Sequence, residues 1–216
     1  MTFAPHLEIL PPSQRVLWDE LETMPSRYVL YGGTALALRL GHRQSIDFDF
    51  FSHDAVDRAE LAELPWLHGA TTIQEAPNTR TVLIERAGGT VKVSLFGAIQ
   101  FGRVGTPDTI GRGLKIASLL DLGGTKIKAL LQRVEAKDYL DVDAMLTAQI
   151  PLPAILGSAR ALFGAAFNPL IARKALTYFE GGDLDTLSAE VKSRLTSAAT
   201  AGLETFDVPK IAARLD

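Results

Sequence analysis

The chain has 216 residues, no cysteine, and a formal charge of −3 from 22 basic and 25 acidic residues. Its 47% hydrophobic and 23.3 kDa of chain can bury a sizeable core, so neither disorder nor a collagen-like fibre fits. Without cysteine there are no disulfides, thiolate metal centres or cysteine nucleophiles, and the acidic balance argues against a general nucleic-acid coat. No apolar run approaches the ~20 residues that a membrane-spanning helix needs. Residues 1–11 lack the basic start and apolar stretch of a secretory signal. The expectation is a cytoplasmic protein with no membrane partner.

In chain order, Pro11-Pro12-Ser13 opens a helical pattern with Val16, Leu17 and Leu21 on one side and Asp19, Glu20 and Glu22 on the other. Residues 28–31 read as a short buried strand broken by Gly32-Gly33. Residues 34–40 form a helix that stops at Gly41. Residues 46–51 alternate and predict a strand with Asp47 and Asp49 on one face and phenylalanines on the other. A helix over 54–64 follows, then β-like segments at 70–75, 80–87 and 91–96, with turns at Pro77-Asn78 and Gly88-Gly89. Residues 97–113 read as a glycine-rich loop. Helical patterns then cover 118–134, 137–147, 153–164, 169–180, 184–199 and 208–214. Pro151 and Pro153 predict a boundary, giving a core over 1–150 and a helical C-terminal region over 151–216. The fold class expected is α+β, a mixed sheet flanked by helices.

Chemistry concentrates first at Gly32-Gly33, followed thirteen residues later by Asp47-Phe48-Asp49. Two carboxylates on adjacent same-face positions of a strand stand about 7 Å apart. They repel one another unless a cation lies between them. Magnesium suits such a pair, because it is held by one or two carboxylates and completed by substrate phosphates. Glycines at a strand-to-helix turn offer free backbone N–H groups and a helix N-terminus to phosphate. Ser45 lies on the Asp47 face, and Arg43 precedes it within phosphate reach; each also reads as an ordinary strand-cap or loop residue. The histidines show no metal-binding spacing.

A second concentration is basic. Arg103, Arg112, Lys115, Lys126, Lys128, Arg133 and Lys137 crowd one stretch of the chain. At about 100° per residue, Lys126 and Arg133 fall inside the apolar arc of Leu119, Leu122, Ile127 and Leu130, and Lys128 falls opposite. A buried lysine needs a partner or a ligand. Asp138 and Asp141 share one face of the next helix. Two readings stand: a buried ion-pair network of Lys126 or Arg133 with Asp138 or Asp141 that braces two helices, or a site in which Lys126 faces phosphate and Asp138 completes the catalytic set; the two can coexist, with Arg133–Asp141 structural.

The run from Leu30 to Phe51, with its Gly-Gly, spacer and Asp-x-Asp, resembles the nucleotidyltransferase signature. It is most similar to the AbiEii/AbiGii toxin-type family, where Gly-Gly-Thr-Ala-Leu precedes Arg-x-Ser-x-Asp-x-Asp. The stretch from Ala117 to Val142, with Lys126, Arg133, Lys137-Asp138 and Asp141, resembles that family's second motif. The resemblance implies a nucleotidyltransferase core with Mg²⁺ on Asp47 and Asp49. It implies an NTP cradled by Gly32, Gly33, Ser45 and Lys126, and Asp138 as general base or second-metal ligand. It also implies an RNA acceptor such as tRNA, or a protein acceptor, and a cognate antitoxin. Many nucleotidyltransferases carry a third carboxylate on a neighbouring strand; the matching position here is Ser94. That departure keeps open a non-catalytic nucleotide-binding or regulatory protein with the same fold. A small-molecule, antibiotic-type nucleotidyltransferase is the third reading.

Overall fold

The computed structural model describes residues 3–202, 204 and 206–216. The chain forms two compact units: one runs to Ser118 and takes in Ala212–Asp216, the other is Leu119–Ile211. The boundary expected at residue 150 falls inside the second unit. There Pro151 and Pro153 begin a helix and are not a linker, as proline's fixed φ suits a helix start.

The first unit is built on a seven-stranded mixed sheet of β1 (Val29–Tyr31), β2 (Asp47–Phe51), β3 (Thr71–Ala76), β4 (Thr79–Arg86), β5 (Gly89–Phe96), β6 (Asp108–Ile110) and β7 (Leu114–Ile116). The strand order is β3-β4-β5-β2-β1-β7-β6. β2 runs parallel to β5 and antiparallel to β1, and β1 runs parallel to β7. Around it lie α1 (Pro12–Glu20), α2 (Gly32–Leu40) and α3 (Arg58–Ala62). The alternation of β2 sends Phe48 and Phe50 into the core, both fully buried, with the Trp18 ring of α1 6.3 Å from Phe48. Asp47 and Asp49 stay half-buried on the other face. Phe51 follows them on that face by the same period of two, where it stacks on Tyr31 at 4.9 Å.

Three expectations change here. The helix over 54–64 shrinks to α3, because the Asp57 side chain accepts from the N–H groups of Ala59 and Glu60 and fixes a later start. The loop over 97–113 contains β6, and β7 follows it. Arg39 secures the pair, donating to the carbonyls of Ala117 at 2.7 Å and Ile116 at 3.1 Å and to Asp108 at 2.7 Å. Strands of three residues leave too little alternation to read. Residues 208–214 are not helical: Ala212 bridges Arg103, and Arg214 grips both oxygens of Asp54 at 2.9 and 2.7 Å.

The second unit is helical: α4 (Leu119–Leu130), α5 (Ala136–Thr147), α6 (Leu152–Phe163), α7 (Pro169–Ala175) and α8 (Ala189–Thr200). α4 stops four residues before the expected end at 134, so Val134 is exposed. α5 starts where the Asp183 carboxylate, distant in sequence, accepts from Ala136 N–H at 2.6 Å. α7 ends at Ala175, short of 180. α8 begins after Ser188, whose hydroxyl accepts from Val191 N–H. No helix among the described residues is long and apolar enough to cross a membrane.

Candidate active site

The site starts from a close approach. α2 begins at Gly32, directly after β1, with no side chain capping its N-terminus, so its first N–H groups remain available to an anion. Gly32 has φ +75°, and a Cβ there would lie 2.5 Å from Asp49 Oδ2. Only glycine combines that left-handed conformation with a carboxylate so near. At Gly33 a Cβ would meet the Arg43 guanidinium at 2.5 Å and Ser45 Oγ at 3.0 Å. Gly32, Gly33, Arg43, Ser45 and Asp49 therefore converge on the start of α2, with Asp47 two residues along the same strand face.

Thr34, which sequence reasoning did not single out, secures this arrangement. It is fully buried, and its hydroxyl bonds Ser45 Oγ at 2.9 Å and the Asp47 carbonyl. Its position directly after Gly-Gly, on a helix facing β2, was the available signal. The two glycines should respond differently to substitution. Gly32→Ala meets both a forbidden φ and a carboxylate on a strand, whereas Gly33→Ala meets the far end of a flexible arginine. We expect Gly32→Ala to lose at least about 1 kcal/mol of stability together with nucleotide binding, and Gly33→Ala to lose less of both. Urea unfolding and calorimetry check this; equal losses would remove the special role of Gly32.

The neighbouring strand supplies a residue that the sequence reading also passed over. In the parallel pairing of β2 and β5, Asp47 lies opposite Lys92 and Asp49 opposite Ser94. Lys92 Nζ is 2.9 Å from Asp47 Oδ2. Ser94, the position where a third carboxylate was sought, is buried and lies opposite Thr81 of β4. A hydroxyl there adds no charge. Among the described residues, no three histidine, aspartate or glutamate side chains cluster to hold a metal. The chain thus offers a divalent ion two carboxylates. That fits magnesium, which takes its remaining oxygens from water and phosphate, and a side chain at position 32 would collide with one of the two carboxylates. A depression of about 690 Å³ lined by Arg27, Asp54, Val56, Asp57 and Arg58 contains none of these residues.

In the helical unit, Lys126, Arg133, Asp138 and Asp141 form one ionic cluster. Lys126 Nζ lies 3.1 Å from Asp138 Oδ1 and 2.6 Å from Asp141 Oδ2. Arg133 donates to both oxygens of Asp138 at 2.7 and 3.0 Å. Both aspartates are fully buried and Lys126 nearly so. The helical arc put Lys126 inside correctly, and Lys128 bonds the Ala166 carbonyl instead. Arg133 reaches Asp138 from the turn after α4 rather than from the helix itself. Burial alone would raise the Asp138 carboxyl, but the Arg133 bonds and the charges of Lys126 and Arg133 outweigh it and hold it below its ordinary 3.8. A carboxylate held acidic with both oxygens engaged is a weak base.

The depressed carboxyl also carries a pH signature. Between its folded value and 3.8 the unfolded chain binds more protons, so stability rises with pH there. The contribution is complete above about pH 4 and fades as pH falls through the folded value. Denaturant titrations below about pH 4 should show a shallower pH slope for Asp138→Asn than for the wild type. An unchanged slope would mean that Asp138 is not stabilising as a carboxylate.

The central strand with Asp-x-Asp, beside a glycine helix start in a mixed sheet, defines a nucleotidyltransferase-type fold. The whole-chain comparison agrees with it. Residues 15–208 match the family model described as nucleotidyl transferase AbiEii toxin, type IV toxin–antitoxin system, and the chain belongs to that family. Among solved structures it is similar to MenT4, a nucleotidyltransferase toxin from Mycobacterium tuberculosis H37Rv, with TM-score 0.61 and 15% identity over 88% of this chain and 83% of that one. It is also similar to JHP933 from Helicobacter pylori, with TM-score 0.57 and 17% identity over 91% of this chain and 89% of that one. At such identities the likeness establishes the fold alone. No curated protein matches the chain.

Proposed function

We propose that the protein is a magnesium-dependent nucleotidyltransferase that moves a nucleoside monophosphate from an NTP to a hydroxyl acceptor. The observation carrying this reading is the convergence of Gly32, Gly33, Arg43 and Ser45 on the strand face that bears Asp47 and Asp49. Asp47 and Asp49 would hold the metal, which when bound supplies positive charge to the phosphate oxygens. The uncapped N–H groups of α2, with Ser45 and Arg43, bind and orient the triphosphate. Thr34 fixes Ser45 and the Asp47 backbone. The acceptor oxygen forms a bond to the α-phosphorus as the bond to the pyrophosphate oxygen breaks. Pyrophosphate leaves, and the acceptor proton passes to water.

Lys126, Arg133, Asp138 and Asp141 carry two positive and two negative charges, a balanced set. We assign them to bracing α4 against α5, with Asp138 holding Lys126 and Arg133 rather than taking a proton. Family membership supports an RNA such as tRNA, or a protein, as the acceptor we propose, with a cognate antitoxin as partner and the cytoplasm as the setting. Incubation with each labelled NTP, Mg²⁺ and total RNA tests the reading. Label appearing on RNA or on a protein supports it, and label on a small molecule moves the acceptor class to antibiotic-type substrates. The second reading, binding without transfer, is favoured by Ser94 and wins if calorimetry detects NTP binding while no label moves.

A further inference from the structure

We propose that Lys92 is a resident cation on Asp47 and a phosphate ligand once nucleotide arrives, exchanging Asp47 for the triphosphate. The inference rests on the metal and nucleotide site proposed above.

Opposite positions on parallel strands lie about 4.8 Å apart with side chains on one face, and the ion pair between Lys92 and Asp47 at 2.9 Å follows from that register. In the absence of metal, two aspartates two residues apart repel one another, and the Lys92 ammonium offsets one of the two charges. The lysine side chain is 39% exposed and that of Asp47 32%. An ion pair open to water is weak, so a divalent ion that engages both carboxylates displaces it at little cost. The freed ammonium has a flexible four-carbon stem and three donors. It remains anchored beside Asp47, where metal-bound phosphates would lie. Its own strand offers a hydroxyl opposite Asp49, at Ser94, and so no acid that could recapture it within the row.

The consequence is a pair of effects of opposite sign. Removing the ammonium frees Asp47 for metal but deprives the triphosphate of a charge-assisted donor. Calorimetry on the full chain is the test, with Mn²⁺ alone as one probe and each NTP with Mg²⁺ as the other, and Asp49→Asn as reference. Lys92→Met should bind Mn²⁺ alone roughly 2- to 5-fold more tightly, since a competing exposed pair is lost. It should bind NTP about 10-fold or more weakly, since a charged donor is lost. Lys92→Arg should restore most of the NTP affinity. Weakening of both ligands would mean a structural role, and no change in either would mean a surface pair without function; each overturns the inference. If wild-type Mn²⁺ and NTP binding is indifferent to Asp49→Asn, the proposed site itself fails, whatever Lys92→Met does.

Discussion

Asp49→Ala is expected to abolish transfer while the protein stays folded. The carboxylate is half-buried on the polar face of β2, so its loss leaves the Phe48–Phe50 core intact. Removing it takes away one of the two carboxylates proposed to hold the metal and the group nearest the Gly32 cradle. A lost metal contact of several kcal/mol corresponds to about a 100- to 1,000-fold fall in kcat/KM. Single-turnover label transfer measures the fall, with urea unfolding as control. A less than tenfold loss would place the metal elsewhere. Asp47→Ala should be comparably severe, with the added consequence that Lys92 loses its partner.

The largest effect on stability is expected at Lys126. Lys126→Met leaves Asp141 and part of Asp138 buried without their ammonium. Breaking one side of a buried pair costs about 3–5 kcal/mol, which lowers the melting temperature by about 6–20 °C in a chain of this size. The double substitution Lys126→Met with Asp141→Leu removes both charges together and should recover much of the loss. Thermal and urea unfolding of the three proteins decide it. A single variant of unchanged stability that no longer binds NTP would make Lys126 a phosphate ligand and overturn the bracing assignment.

These two expectations separate what could be read in the chain from what could not. β2 was legible because strict alternation of aspartate and phenylalanine leaves one arrangement, and the Gly32-Gly33 turn because backbone that must rise to φ +75° beside a carboxylate selects glycine. The inward position of Lys126 was legible from helical periodicity alone. Its partners were only half legible: the sequence allowed a phosphate or the aspartates of α5, and the structure pairs it with both aspartates. The division at Ser118 was hidden because helix starts and linkers both use proline. β6 and β7 were hidden because three residues each show too little alternation, and they pair with one another and with β1, far away in sequence. Residues 208–214 carry a helix-compatible composition, but Ala212 is held in a bridge to Arg103 and Arg214 in a bend gripping Asp54.

Read alone, the chain fixes the net charge of −3, the absence of thiol chemistry, and residue types that suit the phosphate-and-metal site proposed above. Such properties are local, set by composition, by periods of two and 3.6 residues, and by glycine's conformational range. How the charges pair came from the folded arrangement. Parallel register placed Lys92 against Asp47, and helix packing set the buried Lys126 between Asp138 and Asp141. Ion pairing depends on which strands and helices become neighbours, and no local pattern along the chain specifies that.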